Sequence, residues 1–151
     1  MHLSDDELVS GLSDQIDDGP LLAAAFARVD TAVGFTRMLS PLGNYFVARP
    51  AARAAAGRMT EDTGVPLDAA VVLGLSEGAL HVWSADPMLN RVTEYLGHVP
   101  LDRISAMEAT PGRKWQPLRI TLDDGQSIEL EARGPIHAVV AAYRERPAQA
   151  Q

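Results

Sequence analysis

Apolar positions along this chain change rhythm as it proceeds. Leu8, Leu12 and Ile16 recur at intervals of four, which predicts one buried stripe on a helix over about residues 5–17. Ser4 ahead of Asp5, Asp6 and Glu7 supplies a capping hydroxyl and first-turn acids, and Asp18-Gly19-Pro20 ends the helix. LLAAAFARV, over 21–29, is short, lies between breakers and reads as a strand. Residues 30–67 lose the pattern, punctuated by Gly34, Pro41, Gly43, Pro50, Gly57 and Gly64. Within them Tyr45-Phe46-Val47 reads as a short strand, and Pro50 opens a short helix ending near Gly57. A loop of this length carries function or mobility.

From residue 69 the period becomes two. AAVVLGL and ALHVW are strands joined by Ser76-Glu77-Gly78, Arg91 to Val99 is a third ended by Pro100, and Leu101 to Met107 begins a fourth. TPGRKWQP is a loop. LRITL and SIELEA form a hairpin about Asp123-Asp124-Gly125, with Leu118, Ile120, Leu122, Ile128 and Leu130 on one face and polar residues on the other. Gly134-Pro135 opens a closing helix. Its residues Ile136, Val139, Val140 and Tyr143 give a single apolar stripe.

This order predicts a mostly β chain, α+β by content, of about seven antiparallel strands with an N-terminal helix and a C-terminal helix. Its 151 residues are enough for one domain with a real core. The expected division is an acidic helical extension over 1–20, a body over 21–146 with an insertion at about 30–67, and a frayed tail over 147–151.

Charge refines the picture. The net charge is −7, which argues against nucleic acid as a partner. Residues 1–20 hold six acids and no Lys or Arg, and residues 21–60 hold five arginines against Asp30 alone. An acidic stretch thus precedes a basic one, and both precede a mildly acidic body. Cysteine is absent, which removes thiolate chemistry and disulfides. The first residues lack the basic-then-apolar order of a signal peptide, and no apolar run is long enough for a transmembrane segment. The expected location is cytoplasmic.

One stretch raises the question of catalysis. Gly74-Leu75-Ser76-Glu77-Gly78 reads as G-x-S-x-G, the nucleophile elbow of serine hydrolases. An elbow needs a helix after the serine, and the residues that follow, ALHVW, alternate as a strand. The simpler reading is a polar turn in which Gly78 supplies a positive φ. His2, His81, His98 and His137 show no metal-ligand spacing. His81 and His98 can approach across strands, and the plainer reading makes them half-exposed strand residues. Asp5-Asp6, Asp17-Asp18, Glu61-Asp62 and Asp123-Asp124 fall at expected helix starts or turns, where carboxylates cap backbone amides. No phosphate loop or dinucleotide fingerprint occurs. The expectation is a non-enzyme with no catalytic, cofactor-binding or metal residue.

LGLSEGALHVW, VPLDRISAME, and LRITLDDGQSIELEA followed by GPIHAVVAAY together resemble the pleckstrin-homology-like (PH-like) fold, in particular the small bacterial PH-like domains. Pro100, Leu101, Asp102 and Ile104 stand at the matching places of that family's proline-led strand. The resemblance covers about residues 69–145, with a first strand near 21–29. It implies a partly open antiparallel β-barrel or sandwich capped by the C-terminal helix, and a binding or scaffolding module for lipid head groups, peptides or proteins. The insertion at 30–67 departs from it.

Two stretches are candidate binding surfaces. One carries Arg37, Arg49, Arg53 and Arg58 among Phe35, Met38, Leu39, Tyr45 and Phe46, and reads either as an arm for an anionic surface or as arginines lying over apolar surface. The other is Arg113-Lys114-Trp115, a basic-aromatic tip or the start of a strand with Trp115 over the barrel mouth. The favoured partner is another protein or a second copy of the chain. Peripheral association with anionic lipid through the arginines is the alternative, and a hydrolase using Ser76 is the second.

Overall fold

The computed structural model describes residues 11–12, 16, 20–29, 49–86, 91–112, 115–133 and 135–145, with backbone alone at 49–53 and 91. The described strands are β1 (Ala23–Val29), β2 (Ala70–Leu75), β3 (Ala79–Asp86), β4 (Arg91–Pro100), β5 (Ile104–Ala109), β6 (Gln116–Leu122) and β7 (Ser127–Ala132). The helices are α1 (Arg49–Thr63) and α2 (Ile136–Glu145), and a single 3₁₀ turn, Leu101–Arg103, joins β4 to β5.

All seven strands form one antiparallel sheet in the order β4-β3-β2-β1-β7-β6-β5. In a flat sheet of this order the edge strands β4 and β5 would stand about 29 Å apart. The connection from Pro100 to Ile104 reaches at most about 14 Å. The sheet therefore curls until its two edges approach at that end, without a ladder closing them. The fold turns at β1, which pairs with β2 over six residues and with β7 over only Ala27, Arg28 and Val29.

The main core lies inside the curl. Leu73, Leu75, Leu80, Met107, Leu118 and Ile128 are among its residues. The expected stripe of α2, Ile136, Val139, Val140 and Tyr143, is wholly buried there, and α2 packs on β1, β2 and β5. Alanine favours helix, yet the alanine-rich β1 is a strand. It is held by ladders on both sides, and its alanines at 23, 25 and 27 face the core on which α2 packs.

Every residue of β2 is buried, because this part of the sheet is covered on both faces. Val71 and Leu73 face the main core. Val72, with Ala24, Ala70, Trp83 and Ala85, faces a second cluster closed by Leu12 and Leu21, with Ile16 packed against it. Gly11 and Leu12 are helical. Ile16, on the expected stripe, is described but not helical; the remaining residues of the expected helix over 5–17 and the expected strand at 45–47 lie outside the described residues.

Some elements differ from expectation. The helix opened by Pro50 does not stop near Gly57 but continues to Thr63, where Gly64, at a φ of 78°, returns its N–H to Thr60 O at 2.8 Å. The stretch that follows runs against β3, β4 and the 3₁₀ turn. Arg103 Nη2 donates to Thr63 O, Pro66 lies over Gly97 of β4, and Ser84 Oγ donates to Asp68 Oδ2. Part of the 30–67 insertion thus packs on the main core, with Ala56 and Val65 buried in it. Leu101–Arg103 is a 3₁₀ turn, and the fourth expected strand starts only at Ile104. Glu61 and Asp62 lie in the last turn of α1, not at a helix start, while Asp124 Oδ1 does accept from Gln126 N in the hairpin turn.

Candidate functional site

Polar and aromatic groups gather on the outer face of β2, β3 and β4. Ser76 directly follows β2 and is fully buried. Its N–H donates to Ala79 O, its Oγ donates to the same carbonyl at 3.1 Å, and Oγ accepts from Ala79 N at 3.2 Å. The strand after it is β3, as the sequence predicts, so no helix N-terminus stands behind the serine. The turn does not use a positive φ at Gly78, since the described glycines with positive φ are Gly64, Gly97 and Gly125. The serine side chain closes it instead.

Ser76 nevertheless meets a histidine. Gly74 faces His81 across the ladder, which brings Ser76 Oγ to 3.3 Å from His81 Nε2. His81 Nδ1 lies 2.9 Å from the Tyr95 hydroxyl. His81 thus stands between the Ser76 and Tyr95 hydroxyls, and Ser76 Oγ is also tied to the backbone of Ala79. His81 is 5 % exposed, so the expectation of a half-exposed histidine is corrected: it is a buried strand residue ringed by Trp83, Tyr95 and His98. The ring centroids of His81 and His98 are 5.7 Å apart, so the two do approach across strands. Among the described residues no group of three His, Cys, Asp or Glu side chains is placed to hold a metal.

A second constellation stands on the outer face of β1 and β7. Arg28 lies opposite Glu131 in the ladder, and its Nε and Nη2 both reach Glu131 Oε1 at 3.0 Å. The guanidinium carbon sits 3.9 Å from the centroid of the Trp115 ring. Arg133, just past the end of β7, is 5.4 Å from that ring and 5.3 Å from Phe26. Trp115 therefore does not sit over the barrel mouth but packs on the outer face beside two guanidinium groups. Farther along, Arg119 binds Glu129, and this hydrogen bond raises the guanidinium above its ordinary pKa.

The predicted basic surface is only partly visible. Arg58 is exposed on α1. Arg37, Arg113 and Lys114, and the side chains of Arg49 and Arg53, lie outside the described residues. Sequence reading singled out Trp115 and missed Arg28 and Arg133. The available signal was parity: Arg28 and Glu131 interrupt apolar strands at outward positions, but only the register pairs them.

Among the described residues no helix is long and apolar enough to cross a membrane. Compared with models of known protein families the chain matches none, and no curated protein matches it.

Proposed function

We propose that this chain is a non-catalytic, PH-like interaction module whose partner is a protein, with a second copy of itself as the first partner to test. The observation that carries the reading is the patch on β1 and β7. Trp and Arg are the residue types that dominate binding energy at protein interfaces. Here they stand on an outer face, with the Arg28 guanidinium carbon 3.9 Å from the Trp115 ring centroid and its Nε and Nη2 on Glu131, while its side chain stays 42 % exposed. An arginine restrained in this way loses little side-chain freedom on binding. The strand order and the capping helix α2 agree with what the PH-like resemblance implies. Against the hydrolase alternative stand the burial of Ser76 and its bonds to the Ala79 backbone.

Co-sedimentation with anionic and neutral vesicles, at low and high salt, tests the reading when solution mass is recorded on the same sample. The expected result is a mass that rises with concentration and no sedimentation with either vesicle. Sedimentation with anionic vesicles alone, abolished by salt and by Arg58→Ala, would replace it with membrane association.

A further inference from the structure

We infer that the β6–β7 turn holds a site of spontaneous covalent modification. Asp124 converts to isoaspartate through attack by the Gly125 nitrogen, and the folded turn restrains that conversion.

The chemistry needs a side-chain carboxyl followed by a residue whose backbone nitrogen is unobstructed. The sequence holds Asp-Gly twice, at Asp18-Gly19 and Asp124-Gly125, and Asn-Gly nowhere. The first pair lies outside the described residues. In the second, Asp123, Asp124 and Gly125 are all exposed, so water reaches the bond. Gly125 has a φ of 91°, and a Cβ there would meet nothing within 4 Å. Glycine is present for its left-handed backbone and not for want of room, and its missing side chain leaves the nitrogen open to attack. In the first step the bond from Gly125 N to Asp124 Cγ forms and one Cγ–O bond breaks. That oxygen leaves as water with the carboxyl proton and the amide proton, and a succinimide ring results. Water then adds at the Asp124 carbonyl carbon and breaks its bond to Gly125 N. The chain now runs through Cγ, with a free α-carboxylate and no net change in composition.

The folded turn commits both reacting groups elsewhere. Gly125 N–H donates to Leu122 O at 3.0 Å, and Asp124 Oδ1 accepts from Gln126 N at 2.9 Å. Leu122 N donates to Gln126 O, and Asp123 N donates to Arg103 O, each at 2.8 Å. These bonds tie the turn to its own hairpin and to the 3₁₀ turn before β5. Ring closure therefore waits on local opening, and its rate follows the fraction of chains with the turn open. The product resists reclosure. Isoaspartate adds Cβ to the main chain between Leu122 and Gly125, inside the loop that their hydrogen bond closes. Leu122 and Ile128, which flank the turn, are buried in the main core, so a turn that cannot close loosens the hairpin that carries them.

The test holds the full chain at neutral pH in buffer and in concentrated urea. Isoaspartate is read by enzymatic methylation of its α-carboxylate and located by peptide mapping. In urea, isoaspartate is expected to accumulate at position 124. Asp124→Glu, which keeps the carboxylate but would need a larger ring, is expected to lose the signal there. In buffer, the wild type is expected to accumulate it at position 124 at least about tenfold more slowly than in urea. Modified chain separated by ion exchange and returned to buffer is expected to unfold at lower urea than unmodified chain treated alike. No isoaspartate at position 124 in urea would overturn the site. Equal rates in buffer and in urea would overturn the restraint by the turn. Equal urea midpoints for modified and unmodified chain would overturn the resistance to reclosure.

Discussion

Gly74 shows how closely the outer face of the sheet is packed. A Cβ at this position would stand 2.8 Å from Trp83 Cζ3 and 2.9 Å from Leu21 Cδ1. Gly74→Ala is therefore expected to destabilise the fold by about 1–3 kcal/mol through overpacking, in spite of the gain from a stiffer unfolded chain. Urea unfolding measures this. Adding Leu21→Ala should cost less than the sum of the two single changes, because the shared clash is partly relieved. Ser76 gives the complementary case. Ser76→Ala removes the hydroxyl that bonds Ala79 and faces His81, and is expected to cost about 1–3 kcal/mol in the same assay. If Ser76 is structural, an ester-hydrolysis assay will show no turnover that the alanine variant loses. Loss of a measured turnover would return the serine to catalysis. At both residues the sequence was legible only in part. G-x-S-x-G was readable as a strand-turn-strand because of the alternation in ALHVW. That the serine side chain rather than Gly78 closes the turn depends on hydrogen bonds that no local pattern encodes.

At the scale of elements, legibility followed periodicity. The stripe of α2 and the β6–β7 hairpin alternate cleanly, and both formed as expected. The helix α1 was underestimated because Gly57 resembles a stop. Residues 58–63 extend it across that glycine, and Ala56 and Thr63 are buried on the main body. The same tertiary dependence hides the role of α2 at the sheet edge. Tyr143 Oη donates to Ile104 O at 2.8 Å, and Arg144 Nη2 reaches Met107 O at 3.4 Å. These bonds place helix side chains on the backbone of edge strand β5, a means of covering an edge that would otherwise template pairing. Tyr143→Phe keeps the ring and leaves a buried carbonyl short of its donor, with an expected cost of about 1–3 kcal/mol. Amide exchange should show the loss locally, with faster exchange in β5 and unchanged protection in β2 and β3.

For the molecule as a whole, the central question is whether its two apolar clusters behave as one unit. They lie on opposite faces of the same strands: Val71 and Leu73 belong to the inner cluster, and Val72 with Trp83 to the outer. Neither face can lose its cover without exposing a strand that the other face needs. The sequence reading anticipated an apolar stripe at Leu12 and Ile16 but not the face that it covers. The period-two reading from residue 69 did not anticipate burial of β2 on both faces, and nothing local says that Leu12, Ile16 and Leu21 provide the second cover. The coupling predicts a single cooperative transition. In a Trp115→Phe chain, Trp83 is the remaining tryptophan and reports the outer cluster alone, while far-UV circular dichroism reports the sheet. The two signals should give coincident urea midpoints and slopes. If Trp83 became solvent-exposed at lower denaturant than the sheet unfolds, the outer cover would be a separately released layer. Coincident curves mean that Leu21, wedged between Gly74 and the start of β1, locks the second cluster to the first.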